Sequence, residues 1–494
     1  MCNSLAHGST EKMNFRTAKP VYLVLCALMI CAYFLALAGQ GLSAGFTTDD
    51  LVNLTTYGNQ SAAALTKANI LYFSPAYRPM GALFYRPMFA LVGFWPLPYR
   101  VFCFLLLVGN LGLIWLTVRS ITQSSEIAAV STLIGAFHPR LVDLYWNNGA
   151  IYDILCFTFY LGALLYYVGA RREGPILNVR VTAVFMVLYL GALNSKEMAV
   201  TLPVLLILYE LIYFPPATFG ARQVGKWAAT NCRVAVTAGV LTVPYVWAKL
   251  LPQSLFSQLP SFHLDVSLGQ FLATYGAYLD ALFYRDHWFG RIQTAVLLAV
   301  MLGIALLLRS RHLGFAWSIV LVSFLPIAFI PMRAAYVLYI PLAGWSMYAA
   351  ALLVSLRDLL FSFRKPAGPV AWREFALFVL VLVFLSRAYR VQRLRMYGEL
   401  TLGQPAIRSL LAGLDQINPR FPRGTRILVI NDPLPHPYEF MLLLRLYCRD
   451  STLEVDHGNA NDGRHQYVMV WCRGALQLSD PIDPGDARCP GSQI

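Results

Sequence analysis

The chain has 494 residues, of which 57% are hydrophobic and only 13% charged, and its formal net charge is +14. Soluble globular domains carry about 25% charged residues, so this composition excludes an ordinary soluble fold and predicts a polytopic membrane protein. Most lysines and arginines lie in short connections between apolar runs. There they act as topology signals, so the positive charge does not indicate a nucleic-acid partner.

Eleven apolar runs of about 15 to 20 residues are long enough to cross a bilayer as helices. The runs are centred near residues 29, 108, 131, 160, 187, 205, 241, 299, 322, 345 and 379. The first run, about Val21 to Ala38, lacks a convincing signal-peptide cleavage site, so we interpret it as an uncleaved membrane helix. The runs near residues 131 and 379 are the weakest, which leaves ten or twelve spans open.

Alternate connections are rich in lysine and arginine, and this bias predicts the side of the membrane on which each connection lies. The basic set includes Arg119, Arg171 and Arg357. The N-terminus is therefore predicted to be cytoplasmic, and with eleven spans the C-terminus lies outside. Three long polar segments then share the outer face, namely residues 39–98, residues 251–290 and the tail. The predicted host membrane is a bacterial inner membrane or the endoplasmic reticulum.

The tail differs from the rest of the chain in that polar segments separate short helix and strand patterns. Its pattern predicts helices near residues 403–416 and 438–447, and strands near residues 425–430 and 467–471. The predicted fold class is an all-α polytopic membrane protein with a small C-terminal α/β domain. We place the transmembrane domain at residues 1–387 and the extracytoplasmic domain at residues 388–494.

The first outer loop begins with an adjacent pair of carboxylates, Asp49 and Asp50, in a chain that is poor in acids. Two interpretations stay open from these residues alone. If Thr47 or Thr48 caps a short helix, both aspartates stabilise its first turn through the helix dipole. Alternatively, the pair is the acid–base centre of an intramembrane enzyme.

The outer connection between the third and fourth spans is unusually rich in polar and aromatic groups. His138 is followed by Arg140, Trp146, Asn147 and Asp153. A tryptophan beside an asparagine suits a sugar ring, which needs an apolar face and hydrogen bonds at its rim. A histidine at a helix end is more often structural, and that interpretation of His138 stays open.

Ionisable residues also occur at the outer ends of other spans. Lys196 and Glu197 follow Ser195 in a tight connection, Arg285 lies in the second outer loop, and Arg333 lies between the ninth and tenth spans. Ionisable groups at such depth are functional by default. The alternative is a Ser195 cap, a glutamate in the first helical turn and a lysine that snorkels to the interface.

In their order and spacing these motifs resemble the GT-C superfamily of membrane glycosyltransferases. Its members include protein O-mannosyltransferases, the lipid A aminoarabinose transferase and the transmembrane O-mannosyltransferases with tetratricopeptide repeats. The matching elements are Asp49-Asp50, Tyr85-Arg86-Pro87, Phe137-His138-Pro139 with Trp146-Asn147 and Asp153, and Ser195-Lys196-Glu197. The tail shows no repeats, so the repeat-bearing enzymes are matched only in their membrane part.

The resemblance implies an inverting transfer of a sugar from a polyprenyl-phosphate donor to an acceptor hydroxyl on the outer face. An acid in the first outer loop then acts as general base, which assigns the catalytic role to Asp49 or Asp50, with preference for Asp49. Candidates to bind the donor phosphate are Arg86, Lys196, Arg285 and Arg333, with Arg78 and His138 behind them. Candidates for other substrate contacts are His138, Trp146, Asn147, Asp153 and Glu197.

Several partners stay open at this point. The acceptor is a protein, a glycan or a lipid, and the donor sugar is undetermined. A divalent cation held by Asp49, Asp50 and an acid of the second outer loop is one option, but we assign no metal ligands. The alternative function is a transporter or flippase of a lipid-linked or anionic substrate, which predicts internal repeats that the sequence does not clearly show. A non-enzymatic scaffold predicts that replacing Asp49 has no effect.

Overall fold

The computed structural model describes residues 20–58, 60–73, 78–174, 178–251, 264–361, 370–400, 404–458 and 464–479. Within these ranges the chain forms twenty α-helices and one four-stranded sheet. The fold is therefore mostly helical, with a small mixed sheet near the C-terminus.

The helices are numbered in chain order. The first ten are α1 (Pro20–Ala38), α2 (Thr48–Gly58), α3 (Ala62–Ile70), α4 (Ala82–Val92), α5 (Pro96–Thr122), α6 (Ser125–Ala136), α7 (Asp143–Trp146), α8 (Ile151–Glu173), α9 (Val179–Ser195) and α10 (Leu202–Tyr213). The others are α11 (Ala221–Asn231), α12 (Arg233–Leu250), α13 (Leu268–Phe283), α14 (Arg291–Leu307), α15 (Arg311–Val322), α16 (Leu325–Ala328), α17 (Tyr339–Phe361), α18 (Val370–Leu400), α19 (Gln404–Ile417) and α20 (Pro437–Cys448).

Local signals in the sequence set several of the helix ends. Proline has no backbone N–H, so a proline at the start of α5 leaves no donor without a partner, which is why proline is favoured there. Ser124 caps α6 by accepting a hydrogen bond from the Ile127 N–H at 3.2 Å. Asn178 caps α9 in the same way, accepting from the Val181 N–H at 2.9 Å. These short connections bring consecutive apolar helices together side by side.

Apolar packing builds the helical domain around α5, α6, α8 and α17, which contact one another. Four helical stretches are long and apolar enough to cross a bilayer: Tyr22–Ser43, Pro96–Thr122, Asn148–Glu173 and Ala335–Phe361. Large apolar side chains such as Leu28, Leu105 and Val187 remain exposed on the outside of the helices. A surface of this kind suits lipid rather than water, and the protein is an integral multi-pass membrane protein.

Ten of the eleven predicted spans are centred inside a single α-helix, whereas the run near residue 322 is centred on the last residue of α15 and continues across Ser323 and Phe324 into the short α16. Four of these helices meet the length and composition needed for a full crossing, and four others are apolar but only 10 to 17 residues long. The count of eleven crossings therefore stays a prediction. The same is true of the domain boundary at residues 387–388, which falls inside the continuous helix α18.

The C-terminal sheet has four strands, β1 (Arg426–Ile430), β2 (Glu454–His457), β3 (Tyr467–Cys472) and β4 (Ala475–Ser479). Their spatial order is β2-β1-β3-β4, with β1 parallel to both β2 and β3, and β4 antiparallel to β3. The structure confirms the small α/β unit and its predicted elements α19, β1, α20 and β3. The two edge strands were not predicted, because their apolar residues are interrupted by polar ones, whereas β1 and β3 are nearly unbroken apolar runs.

The C-terminal unit packs directly on the segment that contains the acidic pair. The Thr48 hydroxyl donates a hydrogen bond to Glu439 Oε1 at 2.7 Å, and the Gly45 N–H donates to Gln404 Oε1 at 2.8 Å. Through these contacts α19 and α20 become part of the surroundings of α2.

A close approach between Gly41 and α7 offers a test of how the segment before α2 packs on the helical domain. A Cβ atom at Gly41 would lie 1.9 Å from the backbone carbonyl oxygen of Tyr145, whereas a Cβ atom at Gly39 would meet nothing within 4 Å. We expect Gly41→Ala to destabilise the protein by about 1–3 kcal/mol, as overpacking typically does. Thermal unfolding in detergent checks this, with Gly39→Ala as the matched control. Equal midpoints for the two variants would contradict the packing described here.

Candidate active site

The two carboxylates of the acidic pair have different surroundings. Asp50 is fully buried, and it accepts hydrogen bonds from the Thr47 N–H at 2.9 Å, the Tyr85 hydroxyl at 3.1 Å and the Asn148 amide at 3.3 Å. Burial raises the pKa of the Asp50 carboxyl group, although nearby Arg100 and the hydrogen bonds act in the opposite direction. Asp50 thus fixes the start of α2 against the helical domain.

Asp49 is exposed and points away from this buried network. Its Oδ2 accepts a hydrogen bond from the Asn147 amide at 2.9 Å, and the Asn147 Oδ1 accepts from the Thr47 hydroxyl at 2.9 Å. A Cβ atom at Gly149 would lie 2.7 Å from the Asp49 Cβ, so only glycine allows this close approach. The Asp49 carboxylate is held in place while its face toward solvent stays open.

A cavity of about 400 Å³ lies beside Asp49. Its charged lining residues are Asp49, Arg78, Lys196, Glu197, Lys249 and Arg333. Its polar and aromatic lining includes Asn53, Tyr152, Tyr245 and Tyr336, and its apolar wall includes Val246, Leu250, Leu264, Pro326, Ile327 and Ile330. The cavity therefore combines one exposed carboxylate, a cationic region and a surface that suits a hydrocarbon chain.

Two ion pairs hold cationic groups at the wall of this cavity. Arg78 forms a bidentate pair with Glu197, with distances of 3.2 Å and 2.9 Å, and Lys196 Nζ lies 2.5 Å from Asp153 Oδ1. Burial opposes ionisation of Glu197, but the charge and hydrogen bonds of Arg78 prevail, so the pKa of Glu197 lies below its ordinary value. Both carboxylates act as internal counterions for the cations.

A second, polar cavity of about 260 Å³ lies on the other side of Asp49. It is lined by Thr47, Thr48, Asp49, Asp143, Trp146, Asn147 and Gln404. Gln404 is buried, and its amide nitrogen has no hydrogen-bond partner within the part of the chain that the structure describes. Asp49 belongs to the lining of both cavities, so its carboxylate borders a cationic and apolar space as well as a polar one.

The other predicted site residues lie elsewhere. His138 is buried, with Nε2 3.1 Å from the Leu282 carbonyl oxygen and its ring stacked on Tyr284, and burial lowers its pKa to about 4. Arg86 is half-buried on α4 and Arg285 is exposed after α13, and neither lines the two cavities. The structure brings together Asp49, Asn147, Trp146, Lys196, Glu197, Asp153 and Arg333, but not these three residues.

The residues around Asp49 do not form a metal-binding group. Among the described residues, no cluster of three or more His, Cys, Asp or Glu side chains could hold a metal ion. Asp50 is turned into the protein, and Asp280 of the second outer loop accepts hydrogen bonds from the backbone N–H groups of Trp288 and Phe289. In the part of the chain that the structure describes, the acids considered from the sequence as metal ligands are therefore not brought together.

One cation of the cavity escaped the sequence analysis. Lys249 lies in the last turn of α12, at the outer end of an apolar run, and lines the cavity beside Tyr245. Its signal was visible as a lone lysine at a span end, but such lysines usually only snorkel to the interface. Its direction toward the site depends on how α12 packs, which the sequence does not specify.

No protein-family model and no curated protein sequence matches the chain. Solved structures do match. The archaeal oligosaccharyltransferase AglB from Archaeoglobus fulgidus, in complex with an inhibitory peptide and a dolichol-phosphate, aligns with a TM-score of 0.50 and 10% identity, over 91% of this chain and 69% of that one. The apo form of the Archaeoglobus fulgidus oligosaccharyltransferase gives a TM-score of 0.50 and 10% identity, over 88% and 64% of the two chains.

ArnT from Cupriavidus metallidurans bound to undecaprenyl phosphate aligns with a TM-score of 0.47 and 16% identity, over 88% of this chain and 85% of that one. A TM-score of 0.47 is too low to support a conclusion. The two oligosaccharyltransferase matches confirm the predicted resemblance at the level of the fold. The chain is structurally similar to GT-C membrane glycosyltransferases, with low sequence identity.

The surroundings of Asp143 predict a pH-dependent stability. Burial, together with the negative charges of Asp49 and Asp153, raises the pKa of Asp143 from 3.8 to about 6. Between these values the folded protein binds more protons at this group than the unfolded chain does, so its contribution to stability falls as the pH rises from about 4 to about 6. We expect Asp143→Asn to be more stable than the native protein at pH 7.

Thermal unfolding in detergent at several pH values between 4 and 7 measures this difference. The two proteins should unfold at the same temperature near pH 4 and diverge as the pH rises. A difference that is constant over the whole range would show that the ionisation of Asp143 is not responsible.

Proposed function

We propose that the protein is an inverting glycosyltransferase that moves a sugar from a polyprenyl-phosphate donor to an acceptor hydroxyl. The observation that carries this proposal is the cavity of about 400 Å³ in which Asp49, four cationic side chains and an apolar wall line one space. A lipid-linked sugar phosphate has three matching parts: a reactive sugar, an anionic phosphate and a hydrocarbon chain. The oligosaccharyltransferase of the same fold was solved with a dolichol-phosphate, which has two of these parts.

In the proposed reaction Asp49 accepts the proton of the acceptor hydroxyl. The acceptor oxygen attacks the anomeric carbon from the side opposite the phosphate, and a new C–O bond forms there. The bond between the anomeric carbon and the phosphate oxygen breaks, so polyprenyl phosphate leaves with the bonding electron pair and the configuration inverts. A positioned base of this kind contributes about 10²–10⁴-fold to the rate. The hydrogen bond from Asn147 orients the carboxylate for this role.

The leaving phosphate gains negative charge as the sugar departs, and fixed cations stabilise that charge. We assign this role to Arg78, Lys196, Lys249 and Arg333, which line the cavity. Arginine offers a planar fork to phosphate oxygens and lysine a point charge. This set keeps Lys196 and Arg333 from the candidates predicted from the sequence. Arg78, a secondary candidate there, becomes a main one, and Lys249 is new.

The acceptor is proposed to approach Asp49 through the polar cavity of about 260 Å³. The side chains of Trp146, Asn147 and Gln404 in its lining suit a hydroxyl-bearing molecule. Because Gln404 begins α19, residues 388–494 would help to select a protein, glycan or lipid acceptor. In this proposal eleven spans place both cavities on the outer face, with the N-terminus in the cytoplasm.

Replacing Asp49 tests the general base. We expect Asp49→Asn to lose about 10²–10⁴-fold in transfer rate with its fold intact, because the carboxylate is exposed and only its proton-accepting role is removed. The assay is transfer from polyprenyl-phosphate mannose, glucose and arabinose in proteoliposomes. Asp286→Asn, at an exposed position outside both cavities, is the matched control. Full activity in Asp49→Asn would remove this residue from the mechanism.

Replacing Lys249 tests which cations meet the phosphate. We expect Lys249→Gln to lower kcat/KM for the donor by about 10²-fold, as loss of one stabilising group for a developing anion typically does. Arg86→Gln and Arg285→Gln remove the same charge outside the cavity and should have a much smaller effect. A large loss in those two variants, with Lys249→Gln unchanged, would restore the assignment made from the sequence alone.

A further inference from the structure

A third cavity, of about 960 Å³, lies at the opposite end of the helical domain. Its lining comes from the end of α5, the end of α8, the end of α10, the α14–α15 connection with the start of α15, and the second half of α17. Its polar residues include Arg172, Tyr213, Arg309, Ser310, Arg311 and His312. The cavity is therefore built where five helices meet.

The separation between the first and third cavities follows from α8. Asp153, bonded to Lys196 of the first cavity, lies at the start of α8, and Arg172 lies near its end. The two residues are 172 − 153 = 19 positions apart, which corresponds to about 28 Å at 1.5 Å per residue. That length is close to the hydrocarbon thickness of a bilayer. The third cavity thus faces the predicted cytoplasmic side and is separate from both cavities beside Asp49.

The lining of the third cavity has a one-sided charge. Arg172, Arg309 and Arg311 line it, and no acidic residue is among its lining residues. Within the described ranges, no carboxylate lies within ion-pair distance of these three arginines; the ion pairs on this side involve other residues. The cavity therefore concentrates positive charge without an internal counterion.

The nearest buried acid does not change this balance. Glu210 is bonded to Arg171 through two contacts of 2.6 Å, and it also accepts a hydrogen bond from the Tyr167 hydroxyl at 2.6 Å. The Arg171 guanidinium also lies over the ring of Phe214, at 4.3 Å from its centroid. Among the described residues, the side-chain hydrogen bonds of Glu210 are with Arg171 and Tyr167 and do not include the arginines that line the cavity.

The remaining features of the cavity suit a phosphate group at a membrane surface. The cavity lies at the start of α15, where Ser310 caps the helix by accepting from the Leu313 N–H at 3.4 Å, and helix N-termini attract anions. Tyr213 bonds His312 at 3.1 Å and contributes to an aromatic wall, as at other membrane interfaces. The lining residue Leu308 is 44% exposed and its chain neighbour Leu307 is 84% exposed, so apolar surface is available next to the arginines.

We propose that this basic cavity binds a phosphate-bearing ligand, with the headgroup of an anionic phospholipid as its source. Arg309, in the α14–α15 connection, and Arg311, at the start of α15, bind the phosphate oxygens. Arg172 binds the phosphate from the end of α8. Basic pockets between membrane helices on the cytoplasmic side bind such headgroups in other proteins. The site does not depend on the proposed glycosyl transfer.

Native mass spectrometry of the full-length protein in detergent tests this proposal, with phosphatidylglycerol and phosphatidylcholine as probes. We expect one class of tightly retained phosphatidylglycerol and no comparable retention of phosphatidylcholine. Arg309→Gln/Arg311→Gln should weaken retention by at least about tenfold, because two forked donors are lost. Arg309→Lys/Arg311→Lys, which keeps the charge, should retain part of the binding and shows that the connection still folds.

The matched control is Arg222→Gln/Lys226→Gln, which removes two exposed charges from α11 outside the cavity. This variant should bind phosphatidylglycerol like the native protein. Competition with inorganic phosphate distinguishes the two sources of the ligand. If phosphate displaces the lipid and stabilises only proteins with Arg309 and Arg311 intact, the site takes a soluble phosphate. Equal lipid retention by the native protein and Arg309→Gln/Arg311→Gln, or an equal loss in the control, would overturn the proposal.

Discussion

The burial of Asp50 is the constraint on which the site depends. A carboxylate without exposure to solvent needs several donors to offset the loss of hydration, and Thr47, Tyr85 and Asn148 supply them. These donors come from the α2 entry, from α4 and from the connection before α8. A single side chain therefore joins three parts of the chain, and the next residue toward the N-terminus, Asp49, is left facing outward. The buried acid holds the structure, and the exposed one is available for chemistry.

The same logic of compensated charge extends through the cavity. Lys196 and Asp153 are both almost fully buried, and removing one partner of such a pair typically costs about 3–5 kcal/mol because the other is left uncompensated. Arg78 and Glu197 repeat the arrangement at a more accessible position. Pairing makes it feasible to keep cations inside an apolar domain. The acids near the cations thus explain how the folded chain tolerates a positively charged space before a ligand arrives.

The sequence was sufficient to predict what depends on local pattern. Apolar runs placed ten of the eleven predicted spans inside single helices, and the short apolar runs of the tail placed β1 and β3. The direction in which individual side chains point could not be predicted from the sequence. Asp49 and Asp50 are adjacent and chemically alike, and only the packing of α2 shows which is buried. Arg86 belongs to the element that matched the family pattern, yet the residue that lines the cavity is Arg78, eight positions earlier. Lys249 carried no motif, because its role comes from the position of α12.

The bidentate pair between Arg78 and Glu197 has a consequence for which molecules the cavity can bind. A neutral molecule that enters the cavity offers nothing in exchange for this pair, so the guanidinium stays with its own glutamate. An anionic phosphate can replace Glu197 on Arg78 because it presents the same planar pair of oxygens. Binding in the cavity would then require exchange of Glu197 for another anion, and an apolar shape alone would not be enough. Under the proposed function, that exchange favours a ligand that carries a phosphate over the uncharged hydrocarbon of the bilayer.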